Sequence, residues 1–232
     1  MKLLLAPVVL WLTACQVGTI GSGNVVTTTR EVGAFRTLSV ASAITVHATV
    51  GSRAVTVRTD DNLQPLLETF LDGDTLIIRV KPLQGISLPA ALEANVSNDL
   101  LEGITVSGAS HVTVVATPVA TFPLTASGAS TLEVSGISST TLTLDVSGAS
   151  NVTVAGAAMV GTATVVGAST AHLREVSLSS LALDVSGAST VTARVSSMVT
   201  GSVSGASTVT ISGTPGNQVT STGASQVTVG AP

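Results

Sequence analysis

A chain of 232 residues can bury a large core, yet only 9% of it is charged, 2% is aromatic and tyrosine is absent. The net charge of −4 leaves no basic field for nucleic acid. One cysteine excludes a disulfide framework and a cysteine-based zinc site, while abundant Val and Thr with few charges argue against disorder.

The first residues read as an export signal, with Lys2 followed by an apolar stretch from Leu3 to Leu12 that is too short to span a bilayer as a helix. It ends in Leu12-Thr13-Ala14-Cys15, which resembles the lipobox of bacterial lipoproteins. That resemblance implies a signal peptide at 1–14, lipidation of Cys15 and a lipid-anchored linker at 15–22. It implies a membrane as partner and the cell envelope as location, and Gln16 after the cysteine points to the outer membrane in a Gram-negative cell.

Residues 23–103 hold short alternating runs, Thr37–Val40, Ile44–His47, Val55–Val57 and Leu76–Val80, with turn signals at Asn62 and at Asp72-Gly73-Asp74. Leu63 to Phe70 suits a helical turn or a short helix. We read this region as irregular first coils continuous with the remainder of the chain, since no linker divides the two.

From residue 104 a repeat takes over. Ser-Gly-Ala-Ser or a close variant places glycines at Gly108, Gly128, Gly148, Gly167, Gly187, Gly205 and Gly223, in steps of 20, 20, 19, 20, 18 and 18 residues. Apolar columns stand two and four residues before the glycines and four and six after them, with Gly201 and Ser221 the exceptions; Thr, Ser, Asn and Asp fill most positions between. Period-2 alternation of Val with Thr is strand, not helix. One unit cannot close a core, but stacked units can, each strand pairing with its equivalents above and below. The expected fold is therefore all-β, a single-stranded right-handed parallel β-helix with coils of 18–20 residues over 104–232; the variable coil length speaks against a left-handed helix of strict hexads. The glycine column marks a corner that needs positive φ or close backbone approach. Parity points the Ser column (Ser110, Ser130, Ser150, Ser169, Ser189, Ser207, Ser225) inward, although a corner can break parity.

Gly21-Ser22-Gly23-Asn24, Arg30 and Phe35, Asp61-Asn62-Leu63, Asp72–Leu76 and Leu100–Ile104 lead in order to the first repeat. In that order the chain resembles the bacterial auto-transporter adhesin head (GIN) domains, a family of unknown function. The resemblance implies a β-helical envelope protein, commonly a lipoprotein, and no established catalytic residues.

Candidate chemistry is sparse. Asp145 and Asp184 share an outward column two coils apart, near the upper separation for an inverting carboxylate pair, about 6.5–9.5 Å. Glu133 and His172 share another, and both pairs also suit a solvated surface. His47, His111 and His172 are scattered, while Asp60, Asp61, Asp72 and Asp74 could join a Ca²⁺ loop or simply form turns. Runs such as Thr190-Val191-Thr192 and Thr208-Val209-Thr210 would form a flat polar array like those of ice-binding solenoids, interrupted by Glu133 and His172. We expect a non-enzymatic envelope protein with no cofactor, metal or catalytic residue, offering its β-helical faces to a glycan, a protein or another copy of itself. The alternatives are a polysaccharide-active enzyme and an ice-binding solenoid. The terminal coil, ending Gln226–Gly230 without a charged or helical cap, would leave strand edges open to pairing.

Overall fold

The structure is a computed structural model and describes residues 18–87 and 89–231. The expected signal at 1–14 and Cys15 lie outside the described residues, as does the first part of the linker. The N-terminal region holds β1 (Thr19–Ile20), β2 (Val25–Thr29), β3 (Thr37–Val40), β4 (Thr45–Val50), β5 (Ala54–Asp60), a 3-10 turn at Gln64–Leu66, β6 (Leu67–Asp72), β7 (Thr75–Val80), β8 (Ile86–Ser87) and β9 (Leu92–Asn98). The repeat supplies β10 (Gly103–Val106), β11 (His111–Val115), β12 (Val119–Ala126), β13 (Thr131–Val146), β14 (Asn151–Val165), β15 (Thr170–Val185), β16 (Thr190–Val203), β17 (Thr208–Ser212), β18 (Gly216–Ser221) and β19 (Gln226–Ala231). The protein is thus an all-β solenoid of stacked parallel coils of about 20 residues.

Two parallel ladders carry the stack. One runs upward through β7, β3, β10, β12, the second halves of β13 to β16, and β18. The other runs through β9, β4, β11, the first halves of β13 to β16, β17 and β19. The inward columns stand in register: Leu132 beneath Val152, Ala171 and Val191 on one wall, Leu144 beneath Ala163 and Leu183 on the other, all buried. Burying such a side chain contributes about 1.5–3 kcal/mol, so stability accumulates coil by coil.

The corner between the ladders explains the glycines. Each repeat glycine has positive φ, between 73° at Gly223 and 87° at Gly167. At Gly148 an added Cβ would also run into the carbonyl oxygen of Gly128 in the coil below. The approach is close because the next alanine's N–H donates to that glycine carbonyl, Ala149 to Gly128 at 2.7 Å and Ala188 to Gly167 at 2.7 Å. The Ser column faces inward: Ser110, Ser130, Ser150, Ser169, Ser189 and Ser207 are all buried. Ser130, Ser150 and Ser189 each donate at 2.9 Å to the carbonyl three residues back, which closes the corner and satisfies a hydroxyl that burial would otherwise penalise.

The N-terminal region departs from simple succession. The chain lays down the β3–β4 coil, inserts the β7–β9 coil beneath it, and returns to β10–β11 above it. The β3–β4 corner is Ala41-Ser42-Ala43-Ile44, a counterpart of the repeat corner in which Ser42 holds φ 76° and Ala43 φ 60° without glycine. A Cβ fits at Ser42 because the coil below loops outward after Val80, leaving a hollow of about 400 Å³. The segment expected to be a helical turn or short helix is a 3-10 turn only at Gln64–Leu66; from Leu67 it is strand, pulled into the β6–β7 hairpin that buries Leu67. The lower end is closed by antiparallel strands: β6 pairs with β7, and β5 with β9 and then β2.

Candidate functional site

The register brings the outward candidate pairs into their expected columns but keeps them apart. Asp145 lies beside Thr164 and Thr164 beside Asp184, so the two acids stand two strand spacings apart, about 9–10 Å. Both are exposed, and Asp184 accepts a hydrogen bond from Ser202 Oγ at 3.1 Å. Glu133 and His172 flank Thr153 in the same way, with His172 Nδ1 3.1 Å from Thr192 Oγ1. Thr113, Glu133, Thr153, His172, Thr192, Thr210 and Thr228 form one continuous outward row, and the row through Thr131, Asn151, Thr170, Thr190 and Thr208 runs parallel to it. The Thr array is present, broken by its acid and its histidine. Among the described residues no group of three or more His, Cys, Asp or Glu converges.

The aspartates divide into two uses. Asp60 is buried, and its carboxylate accepts from the amides of Gly23 at 2.6 Å and Ala90 at 2.8 Å. Loss of solvent pushes this carboxyl up; the amide donors outweigh that and hold it below the ordinary range. Asp61 accepts from Ser22 Oγ at 2.5 Å, Asn24 Nδ2 at 2.9 Å and the Asn62 amide at 2.7 Å, bonds that likewise hold its pKa down. This pair clamps residues 21–24 against the lower end, while β1 is held by parallel pairing to β8. Asp72 and Asp74 are exposed and bracket Gly73, at φ 57°, in the β6–β7 turn.

A concavity of about 1020 Å³ lies on the short third side of the upper coils. It arises from the change in repeat length. Where β15 meets β16, pairing jumps from Leu173↔Ala193 to Ser177↔Arg194, so residues 174–176 have no partner in the shorter coil above. That excess forms a ledge, and the groove opens over it. Ala158, Leu178 and Val195 contribute buried apolar side chains, and Met159 stands exposed at the rim. Arg174, Glu175 and Arg194 supply charge, and Ser177, Ser179, Ser196 and Thr214 supply hydroxyls. Sequence reasoning singled out none of these groove residues; the signal was the step from 20 to 18 residues between glycines, with both arginines beside it.

A parallel solenoid with apolar rungs and polar outer rows defines a protein that displays surfaces. The chain belongs to the family described as putative auto-transporter adhesin, head GIN domain, whose family model matches residues 34–215. Similar folds occur in a putative adhesin from Bacteroides fragilis, 14% identical with a TM-score of 0.85 over 91% of this chain and 100% of that one. Another is a putative lipid binding protein from Parabacteroides distasonis, 14% identical, TM-score 0.73, over 92% and 99%. A putative adhesin from Parabacteroides merdae is 13% identical, TM-score 0.71, over 91% and 98%. At these identities the likeness is one of fold. No curated protein matches the chain. Among the described residues no helix is long and apolar enough to cross a membrane.

Proposed function

We propose that this protein is a non-enzymatic adhesin of the cell envelope, tethered by lipid on Cys15, whose solenoid presents binding faces to an envelope glycan or protein. The observation that carries this reading is the pair of outward rows on the second ladder, mostly small polar side chains repeated at strand spacing along a packed wall and interrupted in one row by Glu133 and His172. Such a wall binds by many weak equivalent contacts, which suits adhesion more than turnover. Membership of the adhesin head family supports it. In a Gram-negative source the outer membrane is the expected site.

A glycan array probed with the purified protein is expected to give binding without change to the bound sugars. New reducing ends or unsaturated products would instead favour the enzyme reading, and loss of that activity in Asp145→Asn or Asp184→Asn would assign it. Labelling with a fatty-acid analogue that disappears in Cys15→Ser tests the tether.

The upper end supports a further partner, a second copy of this chain. Among the described residues β18 pairs with β16 and β19 with β17, each on one edge, and Val219, Val227 and Val229 there are only partly buried. No charged residue follows Arg194. An unguarded apolar edge invites strand pairing, and two such ends meeting about a twofold axis form a self-limiting dimer.

A further inference from the structure

Residues 101–232 contain two basic side chains apart from histidine, Arg174 and Arg194, and both line the groove over the ledge. The acids of the regular coils are placed otherwise: Glu133, Asp145 and Asp184 lie on the flat ladders, and only Glu175 is in the groove. An anion approaching the upper coils therefore meets a net positive field in one place. Guanidinium is suited to carboxylates, which it grips with two parallel hydrogen bonds. Around it Ser177, Ser179, Ser196 and Thr214 offer hydroxyls that both donate and accept.

The groove extends from Met159 through Arg174 and Arg194 to Thr214, four successive coils, or roughly 14 Å. That length suits an oligomer better than a single small ion. Met159, exposed at the groove's rim, offers apolar contact to the C–H faces of sugar rings. We propose that this groove binds an acidic polysaccharide, with carboxylates on Arg194 and Arg174 and sugar hydroxyls on the surrounding serines and threonine. The inference deepens the adhesin reading and rests on it. One groove carrying two arginines and a glutamate binds weakly, so firm attachment comes from many copies on one polymer.

The test titrates the purified protein with oligogalacturonate in low salt, with neutral dextran and anionic phospholipid vesicles as the other arms. Oligogalacturonate is expected to bind and dextran not to. Arg194→Gln, whose side chain is exposed, should fold normally and lose about tenfold or more in affinity. Asp145→Asn, away from the groove, should bind as the parent does. Equal binding by Arg194→Gln, or no binding of oligogalacturonate, overturns the proposal. So does Arg194-dependent binding to vesicles alone, which would assign the groove to a lipid surface. Array glycans held equally well by Arg194→Gln would remove the groove and leave the adhesin reading standing; silence on the array as well would remove both.

Discussion

At the lower end the stack stops in antiparallel strands, β6 on one ladder and β5 with β2 on the other; at the upper end it stops in β18 and β19, parallel like every rung beneath them. The lower end also carries charge, with Arg58–Glu93 at 3.0 Å, Arg79–Glu68 at 3.0 Å and the Arg79 guanidinium 5.0 Å from the centre of the Phe70 ring. Among the described residues the upper end has none of this. Its interior loosens too: Val203, Val209 and Ile211 are fully buried, whereas Val219, Val227 and Val229 one coil higher are only partly so. A parallel ladder always offers its next rung. Reversing strand direction and adding charge ends that offer at the lower end.

The comparison can be broken first in the middle of the stack. Leu132→Ala, in a fully buried rung, is expected to cost about 2–5 kcal/mol in denaturant unfolding. Val229→Ala should cost under about 1 kcal/mol, its side chain being only partly buried already. If the two cost the same, the upper coil is covered in solution.

The corners sharpen it. Gly148→Ala should destabilise by more than about 2 kcal/mol, since a Cβ there meets both positive φ and the Gly128 carbonyl. Ser42→Gly, over the open hollow, should be neutral or stabilise by up to about 1 kcal/mol. Val227→Lys should abolish concentration-dependent dimerisation in sedimentation while leaving the unfolding midpoint nearly unchanged; a wild-type chain that stays monomeric at high concentration would remove the end-to-end partner.

At the lower end the clamp predicts a pH response. Because Asp60 and Asp61 have lowered folded pKa values, their contribution is present above the ordinary carboxylate range and lost as pH falls through those lowered values. Hydrogen exchange at the Gly23 and Ala90 amides should therefore stay protected at neutral pH and accelerate in acid, beyond the intrinsic pH trend of amide exchange. In Asp60→Asn it should be fast throughout. The smallest effect is expected from Arg58→Ala, within about 0.5 kcal/mol, because both partners of that bridge are open to solvent over nearly half their side chains.

The regular coils were legible because one short motif recurs with its apolar columns at fixed offsets, so periodicity alone stated the pairing. The Ser column's direction was less so, resolved by hydroxyls such as Ser150 closing the corner onto Ser147. The β3–β4 corner escaped notice since Ser42 and Ile44 stand where the motif has glycine and serine, a replacement possible only where nothing stacks beneath. The inserted β7–β9 coil was invisible for another reason: its place depends on pairing between distant segments, which local alternation does not encode. The groove had a signal in the shortened repeats, but a missing residue reads as irregular spacing until the ledge is seen.

The clamp on residues 21–24 also sets a posture. It fixes residues 21–24 beside the charged foot of the solenoid, so a lipid on Cys15 would plant that foot at the bilayer. The rungs from β7 to β18, spaced by roughly 4.8 Å, would then lift the arginines roughly 30 Å and the upper rim roughly 38 Å outward, like the head of a short mast, toward whatever passes beyond the membrane.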